Sequence, residues 1–254
     1  MDKSSTYHRA IVTGGARGIG RAIVDRLLAD GHQVLSCGRS KQPEDWPGAA
    51  HWHQADVSDP AQVQTLIAVA TEKMGAAPNL LVNNAGVQVE KTIADSSDDD
   101  WDSVVGVNCR GVFNMCRAVL PSMQEHGGNI INIGSISGVV ADPSMGLYNA
   151  SKAFVHGLTR SIAVDHGPQV RCNAIKPGWI MTAMAEEGFA LADDPAAAMS
   201  DALARHPVGR FGQPSDIANA VAWLADPQSA YLNGECITVD GGMTAASPLQ
   251  PGLF

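Results

Sequence analysis

The stretch Thr13-Gly14-Gly15-Ala16-Arg17-Gly18-Ile19-Gly20 decides the fold. It follows a short apolar run at 10–13 and leads straight into a helical pattern at 18–30. In a strand-to-helix turn of this kind, Gly14 permits the tight turn. Gly18 lets a phosphate approach the backbone, and Gly20 lets the helix pack close to the sheet. The free N–H groups and the positive dipole end of the helix then face an anion. A glycine cluster alone carries little information, but a strand before it and a helix after it give the context of a nucleotide-binding loop.

Outward from this loop, apolar runs alternate with helical patterns. Strands are expected at 10–13, 33–37, 51–55 (weaker), 80–83, 129–134, 170–175 and 236–239. Helices are expected at 18–30, 61–74, 101–125 (broken near its end by Pro121), 148–165 and 215–225. Strands alternating with helices predict parallel βαβ units with right-handed crossovers. The strands are too apolar to alternate in and out, as expected where helices cover both sheet faces. The fold class is therefore α/β, a Rossmann-type doubly wound parallel sheet of about seven strands. No repeat and no Pro/Gly/Ser-rich linker divides the chain, so 1–254 reads as a single domain.

Bulk properties exclude several classes. Of 254 residues, 45% are hydrophobic and 17% charged, which is ordinary globular composition. The net charge of −9 opposes a phosphate backbone, so nucleic acid is not an expected partner. No block of basic residues suits a membrane surface, and no 18-residue apolar stretch suits a bilayer. The polar start, followed by only three apolar residues, argues against a secretory signal. Five scattered cysteines, Cys37, Cys109, Cys116, Cys172 and Cys236, form no C-x-x-C pair and read as free thiols in a reducing compartment. A cytoplasmic protein is expected.

Tyr148 and Lys152 stand four residues apart on an expected helix, which puts both on one face, one turn apart. A free tyrosine titrates at about 10, too high for a proton acceptor at neutral pH. A neighbouring ammonium favours the phenolate, so Lys152 is expected to lower the Tyr148 pKa. Tyr148 can then take or give a proton as a general acid/base. Ser135 stands just past the fifth strand.

The glycine spacing G-x-x-x-G-x-G resembles that of the classical short-chain dehydrogenase/reductase family. The resemblance extends from about Arg9 to Gly242. It includes Asn83-Asn84-Ala85-Gly86, Ser135, Tyr148-Asn149-Ala150-Ser151-Lys152, Asn173-Ala174-Ile175-Lys176-Pro177-Gly178 followed by Thr182, and Asp240-Gly241-Gly242. It implies an oxidoreductase that moves a hydride between a nicotinamide nucleotide and a small secondary alcohol or ketone. Asn108 matches the family's active-site asparagine and would hold a water linking Lys152 to solvent. Lys152 would also bind the nicotinamide ribose. Pro177, Gly178, Ile180 and Thr182 match the stretch that fixes the nicotinamide amide and the diphosphate. Asn84, Ala85 and Gly86 belong to the cofactor site with Gly14, Arg17, Gly18, Ile19 and Gly20. Asp56-Val57 resembles the pair that faces adenine, although Asp56 reads equally as a helix cap before Pro60. The family also implies a homotetramer of 222 symmetry, built on the two long helices and the C-terminal segment.

The end of strand two chooses the nucleotide. A NAD site places a carboxylate there, but this chain reads Ser36-Cys37-Gly38-Arg39-Ser40. Arg39 suits a 2′-phosphate, and Arg17 offers a second charge. NADP(H) is expected and NAD(H) possible. The alternatives are a NAD-dependent polyol or sugar dehydrogenase of the same family, or a nucleotide-sensing module without catalysis. The extended epimerase/dehydratase relatives differ in glycine spacing and length.

No metal is expected. His51 and His53 share a strand face without further ligands, and Asp98-Asp99-Asp100 suits a helix N-terminus. Residues 182–207 read as a helical insertion of marginal stability, either a lid or an ordinary surface helix. Val139, Val140, Met145, Trp179 and Met184 are expected to wall the substrate pocket, with Asp142 the polar residue that meets a hydroxyl or amine. The tail at 245–254 is expected to reach a neighbouring subunit.

Overall fold

The computed structural model describes residues 8–190 and 192–246. Seven strands form one sheet: β1 (Arg9–Thr13), β2 (Gln33–Gly38), β3 (His51–Gln54), β4 (Leu80–Asn83), β5 (Gly128–Ile133), β6 (Val170–Pro177) and β7 (Cys236–Val239). Their spatial order is β3-β2-β1-β4-β5-β6-β7, and every neighbouring pair is parallel. The helices are α1 (Gly18–Ala29), α2 (Pro60–Met74), α3 (Asp98–Val105), α4 (Val112–His126), α5 (Gly146–His166), α6 (Ala183–Ala190), α7 (Pro195–Ala204) and α8 (Pro214–Ala225).

The period of two along each strand divides the core into two layers. Ile11, Leu81 and Ile130 point to a cluster with Leu66 of α2, Met115 and Val119 of α4, and Val155 and Ile162 of α5. Ala10, Val12, Leu80, Val82 and Ile131 point the other way, to Ile23, Val24 and Leu27 of α1 and Ile217, Val221 and Leu224 of α8. Both faces are therefore covered, which is why these strands carry continuous apolar runs. The winding direction reverses between β1 and β4. In an open α/β sheet the crevice beyond the carboxyl ends of such strands is where ligands bind.

One expected helix is built differently. Residues 101–125 are not one helix broken at Pro121. Pro121 lies inside α4, which runs on to His126. The irregularity is a π-helical turn, Gly106–Gly111, between α3 and α4. Its glycines allow close packing: a Cβ on Gly111 would stand 2.6 Å from Val57 Cγ2. The helix also begins three residues early, at Asp98. Ser97 caps it in a capping box with Asp100, and Asp98, Asp99 and Asp100 complement the dipole. At α2 the cap is Asp59, whose side chain accepts from Ala61 N and Gln62 N. The capping role weighed for Asp56 is thus corrected: Asp56 Oδ1 instead accepts from Ser58 N and Ser58 Oγ, at 2.9 and 2.7 Å.

The described part of 182–207 carries α6 and α7. Phe189 is buried and packs on Trp179 and Phe211, with ring centres 5.1 and 5.7 Å apart. No residue of α7 is buried. The side chain of Met184 and residues 247–254 of the tail lie outside the described residues. Among the described residues, no helix is long and apolar enough to cross a membrane, and no cluster of His, Cys, Asp or Glu is placed to hold a metal.

Leu81 sits at the sheet centre with no solvent exposure. Leu81→Ala should lower stability by about 2–5 kcal/mol, measured as a shift of the urea midpoint at constant m-value. A shift equivalent to less than about 1 kcal/mol would place the core elsewhere.

Candidate active site

The glycine loop leaves β1 through Gly14 at φ 72, a left-handed turn that glycine makes without strain. Gly20 is fixed by proximity: a Cβ there would stand 2.2 Å from the Gly14 carbonyl oxygen, so the loop crosses directly over the first turn of α1. The expected close contact of Gly20 with the sheet is thus a contact with the loop. Arg17, at the N-cap of α1, makes no side-chain capping hydrogen bond, so the first-turn N–H groups are left without a side-chain acceptor. Thr182 faces this opening, its Cγ2 3.4 Å from where a Gly18 Cβ would be. An anionic diphosphate fits this arrangement.

Two residues not singled out from the sequence hold the loop. Ser36, on β2, donates to the Val12 carbonyl at 2.6 Å and accepts from Gly15 N at 3.1 Å. Thr13 Oγ1 accepts from both Asn84 N and Ala85 N at 3.0 Å. Asn84 Nδ2 returns two bonds, to the Thr13 and Gly14 carbonyls, at 2.9 and 3.1 Å. Asn84 therefore joins β4 to the loop. Its neighbour Gly86 is placed by space: a Cβ on it would stand 3.5 Å from Asn108 Oδ1 and 3.6 Å from Lys152 Nζ.

At the end of β2, Arg39 is exposed, as is Arg17 across the loop. Among the described residues neither forms a salt bridge. Val57 is buried beneath α4, where its carbonyl accepts from Asn114 Nδ2 at 3.0 Å. On the other side of the opening, the Gly178 N–H donates to the Val239 carbonyl at 3.1 Å, and Gly178 packs on Asp240. Pro177 ends β6, and the side chain of Ile180 joins the α1/α8 core.

The π-helical turn swings Asn108 inward, where it is almost fully buried. Its Oδ1 accepts from Val87 N at 2.9 Å, and its Nδ2 donates to the Val87 carbonyl and to Ser151 Oγ at 2.8 and 2.9 Å. The side chain thus clamps the segment that follows β4 to α5.

Ser135, Tyr148 and Lys152 converge at the carboxyl end of β5. Ser135 is buried, and its Oγ hydrogen-bonds the Ser137 hydroxyl at 2.9 Å. Lys152 is buried and donates to the Ile133 carbonyl at 3.0 Å, with its Nζ 5.4 Å from the Tyr148 ring centre. Burial lowers the Lys152 pKa to about 8. The expected lowering at Tyr148 is not found. Burial pushes the phenol up to about 12, a hydrogen bond with Ser135 opposes the rise, and the Asp142 carboxylate adds to it. The Lys152 ammonium lies over the ring face and is drawn to the Ile133 carbonyl, so it does not offset desolvation of the phenolate.

Of the expected pocket wall, Val139 and Val140 are exposed and Trp179 is taken up by Phe189. Asp142 accepts from Ser137 Oγ at 2.5 Å.

Lys152 generates a pH-dependent prediction. Between pH 8 and about 10.5 the unfolded lysine holds a proton that the folded one has lost. Stability of the native chain therefore rises with pH across that window, by up to ~1.4 kcal/mol per pH unit. Lys152→Met lacks this rise, so its stability relative to the native chain should fall from pH 8 to pH 10.5 in denaturant melts. A difference that stays flat across the window contradicts the buried ammonium.

A family model described as "Enoyl-(Acyl carrier protein) reductase" matches residues 14–244. The chain is similar to a 3-oxoacyl-[acyl-carrier-protein] reductase of Thermotoga maritima, 35% identical over 243 residues that cover 92% of this chain and 96% of the relative. It is also similar to a 2-(R)-hydroxypropyl-CoM dehydrogenase of Xanthobacter autotrophicus, 38% identical over 93% of this chain and 98% of that one. Among solved structures, the aldohexose dehydrogenase of Thermoplasma acidophilum superposes with a TM-score of 0.87 at 32% identity, covering 95% of each chain. With the parallel sheet, the glycine loop and the Ser135–Tyr148–Lys152 cluster in place, the chain belongs to the short-chain dehydrogenase/reductase family.

Proposed function

We propose that this oxidoreductase interconverts a secondary alcohol and its ketone with NADP(H), using Tyr148 as the acid/base. The observation that supports it is the meeting of Ser135, Tyr148 and Lys152 at one end of the sheet, with the glycine loop carrying a helix N-terminus that has no side-chain cap and the exposed Arg17 and Arg39. When bound, the nicotinamide supplies or accepts the hydride at the substrate carbon.

The remaining work falls to the chain's own residues. Main-chain N–H groups of the glycine loop and of Ile19, with Thr182 opposite, hold the diphosphate. Arg17 and Arg39 hold the 2′-phosphate, and Asp56 and Val57 border the adenine. Asn84, Ala85 and Gly86 floor the site, and Pro177, Gly178 and Ile180 border the nicotinamide amide. Lys152 binds the ribose hydroxyls. Ser135 hydrogen-bonds the substrate oxygen, and Tyr148, protonated at neutral pH, gives it a proton during reduction. The side-chain bonds of Asn108 go to Val87 and Ser151, and Asn108 would hold a water that links Lys152 to solvent. That water would replenish the proton.

The names of the relatives point to different substrates, an acyl carrier protein, a CoM conjugate and an aldohexose. The proposal therefore stays at a small secondary alcohol or ketone. Exposed Trp101, Phe113 and Phe154 border one groove on α3, α4 and α5, which supports the homotetramer. Five free thiols suit the cytoplasm.

The test is a carbonyl panel with NADPH, following its absorbance loss. Tyr148→Phe should lower turnover by about 10²- to 10⁴-fold while the melting temperature is kept. Unchanged turnover would remove Tyr148 from the reaction. Arg39→Ala should weaken NADPH binding by about tenfold or more and leave NADH binding unchanged. Tighter binding of NADH than of NADPH by the native chain would instead favour the NAD-dependent reading.

A further inference from the structure

The loop that carries Ser135 is bounded by Gly134 and Gly138, and neither takes the left-handed backbone that favours glycine. Space requires glycine there instead. A Cβ on Gly134 would collide with Nε2 of His156 and stand 3.2 Å from the Ile175 carbonyl oxygen. A Cβ on Gly138 would stand 2.5 Å from Cε1 of the same ring, and 2.8 and 2.9 Å from main-chain atoms of Lys152 and Ala153. One side chain of α5 therefore meets both ends of the loop, at places where only the missing Cβ lets the backbone come so close.

The loop is short and tied on its other side. Gly134 N donates to the Ile175 carbonyl of β6 at 2.8 Å, and Gly138 N donates back to the Ser135 carbonyl at 3.2 Å. Residues 136–138 form a single 3-10 turn. With β6 holding one end and the His156 ring beneath both, the loop can neither rise from α5 nor settle further onto it.

His156 lies one turn past Lys152 and two past Tyr148, on the helix that supplies the acid/base pair. It is only 4% exposed, and its Nε2 is buried with no hydrogen-bond partner among the described residues. A buried polar atom left unpaired is costly, so the contact of this nitrogen with the loop is one of shape. Burial, with Lys176 of β6 and Lys152 and Arg160 of α5 adding to it, holds the imidazole down at about 4, so the ring is neutral at pH 7.

We infer that His156 is a positioning residue: its ring is the spacer that fixes the Ser135 loop over α5, and so sets the serine hydroxyl relative to Tyr148 and Lys152. This rests on the reading of Ser135 and Tyr148 as reacting groups given above. The ring touches neither substrate nor nucleotide and carries no proton in the reaction. Its part is to keep Ser135 at the height where one substrate oxygen meets both hydroxyls.

The test is a double-mutant cycle between positions 134 and 156, read both in turnover and in urea unfolding. His156→Ala should lower kcat for carbonyl reduction by on the order of 10- to 100-fold and leave the Kd for NADPH unchanged. Gly134→Ala alone should also lower kcat, because its methyl group meets the ring. In the pair the methyl group enters space the ring has left. The pair should therefore recover part of kcat, and its urea midpoint should lie above the value that the two single changes add up to. His156→Gln, with a planar end of similar reach, should keep most of kcat and the native pH midpoint, and it serves where His156→Ala does not fold. Losses in kcat that multiply in the pair overturn the inference. So does coupling seen only in the unfolding of an active chain, which would make His156 merely structural. A moved pH midpoint in His156→Gln would make the ring a proton carrier and overturn the spacer. Coupling in the unfolding of a native chain that turns over no carbonyl would instead retain the contact and overturn the proposed reaction.

Discussion

Between β1 and β4 the winding of the sheet reverses, and the two side chains that bridge this gap, Thr13 and Asn84, hold the rest of the site in place. At a switch point the chain leaves the two strands in opposite directions, so main-chain groups at their ends lack ladder partners. Thr13 Oγ1 satisfies two N–H groups and Asn84 Nδ2 satisfies two carbonyls. With these groups satisfied, the glycine loop lies across α1 without using the first-turn N–H groups of the helix. Those N–H groups, and with them the capacity for an anion, are available because the strand ends are already paired.

A second constraint is burial around the acid/base pair. Lys152 is buried and Tyr148 half-buried, and desolvation disfavours both of their charged forms. Seen alone, an i, i+4 tyrosine and lysine suggests a lowered phenol pKa. In the fold, desolvation outweighs the neighbouring charge because the ammonium is turned toward the Ile133 carbonyl. The protein by itself therefore favours a protonated phenol and an ammonium that loses its proton readily. Oxidation of an alcohol needs a further positive charge in the site, and reduction does not.

The parts of this arrangement that were legible in the sequence are those encoded in short spacings. The glycine loop, the Tyr148–Lys152 spacing and the missing carboxylate after β2 each lie within a few residues. The parts that were not legible depend on contacts between distant segments. Ser36 and Gly15 are 21 residues apart, and Asn108 and Val87 are likewise 21 apart. The π-helical turn was hidden because Pro121 was the conspicuous breaker, whereas the real irregularity is driven by the approach of Gly111 to Val57. Asp56 and Asp59 carry the same side chain three residues apart, and only the backbone at Pro60 distinguishes the cap from the turn.

Stability and specificity are carried by different parts of the chain. The sheet and the helices on its two faces hold the largest fully buried side chains. The segments around the substrate opening are held more lightly: α7 buries no residue, α6 is anchored through Phe189, and the 139–145 turn exposes Val139 and Val140. Substitutions in such segments cost little of the folding free energy, so pocket shape can change while the loop, the strand bridge and the acid/base pair stay fixed. Relatives 35–38% identical to this chain carry names that specify different substrates, as this division of labour requires. Asp142 stands where the two parts join. Its carboxylate reaches the fixed machinery through Ser137, while the backbone that carries it belongs to the variable rim. A change in that turn therefore reaches Ser135 as well as the rim.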